Sequence, residues 1–352
     1  MPSLSPPAAA RPGLTLGGVL LAGSVLFVMG AGTAAAAWTP PQPVLGARDD
    51  GRIPEGRMPA VAYGAGGTAA IAWVHGPWTR RAIVVTVRGR DGQWASPVRI
   101  SARTGVAIDP RVVVDREGRT LVVWRQTAGT QRLRIGGIVV RRQVWVVRAR
   151  WRDAAGRWTA VDTLSPTRLK VGAPDLAMDA AGNAVATWHW GSGSSPQRSG
   201  FVGQVQAAEF RDLAWRPMTR VSGVRACREE RAPRVAMGEA GHAVVWWQCD
   251  VRGGSTSFSV ARGPSDRAWS SRRELPFRTR GAQRNDLGVS DAGDVTAVSA
   301  TRGGAIRWWR GGVAASGISL AALPGPRPDE VPGSTGAGPR IAVEPSGDAL
   351  SA

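Results

Sequence analysis

Lysine is almost missing from this chain: Lys170 is the only one in 352 residues. Tyrosine is as scarce, with Tyr63 alone, and there are three histidines and two cysteines. Each shortage removes a class of chemistry. His75, His189 and His242 have no second His or Cys at ligand spacing, so a His/Cys zinc site is excluded. The chain has no G-x-x-x-x-G-K-[ST] phosphate loop, no G-x-S-x-G elbow and no H-E-x-x-H pair. Neither a metal nor a cofactor is expected. After Ala37 no apolar run is long enough to span a bilayer. Two cysteines are too few for a disulfide framework but sufficient for one bridge in an oxidising compartment.

Charge of one sign is also short. The formal net charge is +19, carried almost wholly by arginine. The arginines are scattered, with no dense basic run, and Ala, Gly and Pro are abundant, so codon bias explains much of the excess. A net positive surface fits an anionic polysaccharide or an envelope protein as partner, and nucleic acid is not expected. A monomer is expected.

The N-terminus reads as a targeting signal. Arg11 precedes an uncharged stretch from Gly13 to Gly30, and Ala34 to Ala37 supply small residues for cleavage before Trp38. Residues 1–37 are therefore expected to be removed and residues 38–352 exported, to the medium or the cell surface. The alternative is an uncleaved anchor, since residues 13–37 are uncharged.

What the chain has in quantity is Trp, Gly and Pro: 16, 46 and 25 residues. Short strands and many turns follow from that mixture. The strands repeat. Pro59, Pro110, Pro174, Pro233, Asn285 and Pro339 each begin the same pattern, and a glycine follows eight residues later: Gly67, Gly118, Gly182, Gly241, Gly293 and Gly347. In the copy at Pro110, Val112 and Val114 share one strand face, and Leu121 and Val123 share one face of the next, the period of β-structure. Asp115 with Gly118, and Asp179 with Gly182, suit a tight turn that ends in a residue of positive φ. A second strand pair follows each hairpin, as in Ile83–Arg88 with Trp94–Ile100 and Val144–Ala149 with Trp158–Leu164. Each repeat thus holds four antiparallel strands, A to D.

The expected fold is all-β: a β-propeller of about six four-stranded blades. The blades cover residues 59–101, 110–165, 174–222, 233–276, 285–322, and 339–352 joined to 38–45. The N-terminal strand closes the last blade, which lacks a strand. Either that blade has three strands or the chain stops short.

The D-x-x-G-x-A-x-x-x-W turn, as in Asp179–Trp188, resembles the Asp-box of bacterial sialidase-like propellers, and the resemblance extends over residues 38–352. It implies the propeller and an exported setting. The pattern S-x-D-x-G-x-T-W is not present intact. Retaining sialidases use a Tyr nucleophile. Tyr63 occupies a strand A position filled elsewhere by Val114, Met178 and Met237, where packing is expected.

The A–B and C–D turns are short, whereas the B–C and D–A connections are long and unequal. Function is expected on the long-loop face. The second position of strand A reads Ala60, Arg111, Asp175, Arg234, Asp286, Arg340 around the ring. Arg111, Arg234 and Arg340 form either an anion site or a structural ring of ion pairs with the acids. Trp73, Trp124, Trp188 and Trp246 recur at the end of strand B, and Trp38, Trp94, Trp158, Trp215 and Trp269 at the start of strand D, as core. Trp78, Trp190 and Trp247, with His75 and His189, break that register and are candidate ligand contacts. Cys227 and Cys249 converge on the same face and are expected to pair. Asp49, Asp50, Glu55, Glu229, Glu230 and Asp250 lie in the same loops and could supply a carboxylate pair. The leading expectation is a non-catalytic exported propeller that binds an acidic glycan or envelope component. The alternatives are a propeller-type glycoside hydrolase or lyase, and a scaffold without a small ligand.

Overall fold

In the computed structural model the described residues are 57–322, with breaks at 136, 169, 193–201, 223–228, 252–253, 267, 280–284, 301–305 and 315, together with 341–343 and 349–351. The signal segment 1–37, the closing strand 38–45, Cys227, Arg340 and Gly347 lie outside them.

Among the described residues all regular structure is β. Sheet 1 comprises β1 (Arg57–Tyr63), β2 (Ala69–His75), β3 (Ala82–Arg88) and β4 (Val98–Arg99). Sheet 2 comprises β5 (Ala107–Val114), β6 (Thr120–Ile135), β7 (Ile138–Arg152) and β8 (Asp162–Thr163). In sheet 3, β9 (Lys170–Val171) and β14 (Thr219–Arg220) flank a path of β10 (Asp175–Met178), β11 (Ala184–Ser192), β12 (Val202–Arg211) and β13 (Ala214–Trp215). Sheet 4 holds β15 (Glu229–Met237), β16 (Ala243–Val251), β17 (Gly254–Arg262) and β18 (Arg273–Thr279). Sheet 5 holds β19 (Asn285–Val289), β20 (Asp294–Ala300), β21 (Ile306–Ala314) and β22 (Gly317–Ala322). A last pair, β23 (Ile341–Val343) and β24 (Ala349–Ser351), is antiparallel.

The core is not one mass but four slabs, each between consecutive sheets. Strand B of sheets 2, 3 and 4 supplies the slabs on both of its faces. On β6, Val122 and Trp124 face sheet 1, while Leu121 and Val123 face sheet 3. On β16, Val245, Trp247 and Cys249 face sheet 3, while Val244 and Trp246 face sheet 5. A strand buried on both faces is a continuous apolar run, which explains Val244-Val245-Trp246-Trp247. Trp247 is 0% exposed, so its expected role as a ligand contact is corrected: it is core on the opposite face from Trp246. The strand D tryptophans differ from expectation in the other direction. Trp94, Trp158, Trp215 and Trp269 are half-buried, capping the slabs rather than filling them.

The turn between strands A and B is the same throughout. Gly67, Gly118, Gly182, Gly241 and Gly293 all have φ between 80 and 95°. Asp115 Oδ1 accepts the amides of Glu117 and Arg119, and Asp179 Oδ1 accepts that of Asn183. Ser290 Oγ does the same for Asp294. These turns also touch in series. Arg90, from the turn between β3 and β4, donates to the Arg116 carbonyl at 2.7 Å, Arg119 to the Ala181 carbonyl at 3.1 Å, and Ala180 N to the Glu239 carbonyl at 3.1 Å. A second buried tie links sheets 3 and 4, where Arg262, with 1% of its side chain exposed, donates to Glu209 at 3.1 Å.

Tyr63 corrects a second expectation, for it is 69% exposed. It shares with Val61, 67% exposed, the β1 face directed away from sheet 2. The same face of β5 packs on sheet 1 through Val112 and Val114, so the position is a packing one only where a preceding sheet covers it.

Two expected loops are not loops. Sheet 2's B–C connection continues as ladder to the Ile135–Ile138 pair, and sheet 4's continues to Val251–Gly254. Gly136-Gly137 is a two-residue hairpin signal, and Gly137 has φ 86°.

Gly182→Ala tests the turn. The residue has φ 84°, and a Cβ there would meet Asp115 Oδ2 at 2.9 Å. Alanine is expected to destabilise the protein by about 1–2 kcal/mol, read as a lowered midpoint in chemical denaturation.

Candidate functional site

Strand A begins with a bulge before proline. The register of β1 shifts between Arg57 and Ala60, that of β5 between Ile108 and Arg111, and that of β15 between Arg231 and Arg234. Proline has no amide to donate, and the bulge lifts it out of the ladder. Met58 and Asp109, each preceding the proline, have φ 65° and 56°. Because Met58 repeats the conformation of Asp109, the strained backbone belongs to the repeat rather than to one reactive residue.

Past the bulge stand the strand A residues singled out from the sequence. Three of them come together. Asp175, the first residue of β10, accepts Arg111 Nε from sheet 2 at 3.0 Å, and Arg234 Nη1 of sheet 4 lies 3.6 Å from the same oxygen. The other oxygen accepts the amide of Val235 at 3.1 Å. One carboxylate therefore joins three consecutive sheets and leaves the cluster with one net positive charge. The side chains are 29%, 14% and 27% exposed for Arg111, Asp175 and Arg234, so the pairing is only partly screened by water. The ion-pair reading of this ring holds for these three positions. Asp286, the next acid in the series, is half-buried on β19.

A second cationic chain lies beside it. Asp109, 5% exposed, pairs with Arg125, which also donates to the Val171 carbonyl at 3.0 Å. The Arg125 guanidinium sits 5.1 Å from the Trp145 ring, and that of Arg168 lies 4.4 Å from the Trp190 ring. Trp145 and Arg168 are bridge partners, so the two stacks adjoin. Sequence reasoning missed Asp109, Arg125 and Arg168, although Asp109-Pro110 and the strand-end position of Arg125 mark them.

The remaining candidates fall apart into separate places. Trp78 is 64% exposed, with the Arg81 guanidinium 3.2 Å from its ring, and His75 is exposed at the end of β2. Trp190 is half-buried and donates to Gln204 at 3.3 Å. His189 is half-buried under the backbone of Gly172, whose amide donates to the His189 carbonyl at 2.8 Å. Gly172 has no Cβ because one would fall on the imidazole.

Among the expected carboxylates, register joins two. Glu229 on β15 and Asp250 on β16 are direct cross-strand partners, and the next rung pairs Glu230 with Cys249. These rungs are at the long-loop end of sheet 4. Cys249 is fully buried there. Tyr63 lies at the opposite end of its strand, next to the A–B turn, so the chain's only tyrosine is remote from this face.

No protein-family model and no curated protein matches the chain. Solved structures do. It is similar to a protein of unknown function from Dyadobacter fermentans, with 13% identity, TM-score 0.50, and 80% of this chain and 85% of that one covered. It is similar to the leech intramolecular trans-sialidase, with 11% identity, TM-score 0.49 and 84% of this chain covered. The chain spans 64% of the leech enzyme's length. It is also similar to the GH93 α-L-arabinofuranosidase of Fusarium graminearum, with 12% identity, TM-score 0.48, and 83% and 85% covered. The likeness concerns the fold, and it bears out the resemblance to sialidase-like propellers. Most of these neighbours carry the names of enzymes, NanB sialidase of Streptococcus pneumoniae among them, and the expectation of a non-catalytic binding module finds no support in them.

Asp175→Asn leaves Arg111 and Arg234 facing each other without their shared anion. Stability is expected to fall by roughly 1–3 kcal/mol, seen as a lower thermal midpoint that high salt partly restores by screening the two cations.

Proposed function

We propose that the chain is a propeller-type glycoside hydrolase, with Glu229 and Asp250 as its carboxylate pair. The observation that carries this reading is their register: they are direct partners across β15 and β16. Opposed residues of an antiparallel pair have Cβ atoms about 4.5–5.5 Å apart and project to one face. Retaining glycosidases hold their two carboxyl groups about 5–5.5 Å apart. In the retaining mechanism one carboxyl group gives its proton to the leaving-group oxygen. The other then acts as nucleophile at the anomeric carbon, and no tyrosine is required. Such a site differs from a sialidase site, which agrees with the place of Tyr63. The cationic cluster of Arg111 and Arg234 with Asp175 supports an acidic or sulfated glycan as substrate.

An exported setting belongs to the same proposal. So does a bridge between Cys227 and Cys249, which would pin the start of β15 beside β16. The bridge is supported by the pairing of Cys249 with Glu230, three residues after Cys227. A non-reducing peptide map should contain the linked peptide; two free thiols would remove the bridge.

The activity is tested on a panel of aryl glycosides and acidic polysaccharides. Glu229→Gln and Asp250→Asn should each slow turnover by about 10²–10⁴-fold with an unchanged unfolding midpoint. Turnover that survives both substitutions, or a wild-type protein inert on the whole panel, would contradict the assignment.

A further inference from the structure

The B–C connection of sheet 2 stands apart from those around it. Strands β6 and β7 are 16 and 15 residues long, roughly twice the length of β2 and β3. The ladder breaks once, between Thr127 and Thr130, where Gly129 has φ 116° and open space around it. Beyond that bulge the two strands continue alone to the Ile135–Ile138 pair. Six residues of strand give this ribbon a reach of about 20 Å.

Its two faces differ. Cross-strand partners share a face, and faces alternate along the ladder. One face carries Arg132 with Arg141, then Arg134 with Val139. The other carries Gln131 with Arg142, then Leu133 with Val140, and ends at the Ile135–Ile138 pair. Ile138 and Val139 are 68% and 58% exposed, and Arg132, Arg134, Arg141 and Arg142 are exposed. From Gly118 to Arg152 the sequence contains no Asp or Glu. These four arginines are thus without an acid on their own ribbon, unlike Arg111, Arg119 and Arg125 in the body of sheet 2, which are all ion-paired. The arm combines an aliphatic end with a cationic flank, and among the described residues no acid pairs with its four arginines.

We propose that this ribbon is a membrane-surface anchor, and that its occupant is a bilayer rich in anionic phospholipid. Charge complementarity selects the anion: each arginine near such a surface is attracted to it. The aliphatic end selects a bilayer over a soluble polyanion, which offers nothing for Ile138 and Val139 to enter. Depth is consistent as well. The apolar residues fall within the last three rungs of the ribbon, which also hold Arg134, about 10 Å, and this matches shallow burial at the headgroup boundary. The two open strand edges keep their backbone groups within reach of water there, whereas full insertion would leave them unsatisfied. The protein would work at a membrane face with sheet 2 turned toward it.

The test is vesicle co-sedimentation of the intact protein, with phosphatidylcholine vesicles and with phosphatidylcholine–phosphatidylglycerol vesicles, at low and high salt. Binding is expected only with phosphatidylglycerol and should weaken with salt. Ile138→Ser with Val139→Ser should reduce it at least tenfold, and Arg132→Gln with Arg141→Gln roughly thirtyfold. Both pairs are exposed, so the thermal midpoint should not move. Three results would overturn the proposal. These are no binding by the wild type, binding indifferent to Ile138 and Val139 but matched by soluble dextran sulfate, and loss of a dimer on size exclusion in the serine variant.

Discussion

Everything in this fold rests on a four-residue turn. An acceptor side chain, Asp115, Asp179 or Ser290, ties down the amides of the turn, and a glycine of positive φ ends it. The glycine is needed twice over: its φ is costly for any other residue, and its bare Cα lets the preceding turn approach. Gly182 sits against Arg119 and Asp115 of the turn before it. Turn therefore meets turn, and this contact fixes the spacing at which one sheet can lie on the next. The slabs of aliphatic and indole side chains between sheets fill the gap that the turns set.

Charge takes up the same task at the other end of the strands. Asp175 is shared by Arg111 and Arg234, and a bulge in β5 and β15 brings each arginine to it. The cost of holding a partly buried carboxylate is offset because it neutralises two guanidinium groups that would otherwise repel. A cluster with one surplus positive charge is also an attractive flank for an acidic sugar, so the structural tie and the proposed binding role are compatible rather than rival.

The repeat was legible in the sequence because glycine and tryptophan mark it at fixed positions. The sheets follow it closely, including the eight-residue step from proline to glycine. What escaped is equally physical. Trp247 breaks the one-face register of strand B because both faces of β16 are buried. Tyr63 was placed in the core by its position in the repeat, but burial at that position depends on a preceding sheet, and β1 is the first of the described strands. The length of the connections in sheets 2 and 4 suggests loops, whereas Gly136-Gly137 signals that the strands of sheet 2 run on. For the candidate site, composition named Glu229 and Asp250 as two acids among six, and only the register of β15 on β16 singled them out as partners. Asp109-Pro110 and the strand-end position of Arg125 mark these two residues, but their pairing depends on a bulge that composition does not announce.

The central claim is that two carboxylates at the long-loop end of sheet 4 perform covalent glycoside chemistry. It is tested most directly by trapping the intermediate with activated 2-deoxy-2-fluoro glycosides and mapping the label by mass spectrometry. One glycosyl residue attached to Glu229 or Asp250 is predicted. A label on another carboxylate, or none with any glycoside that the protein turns over, would contradict it.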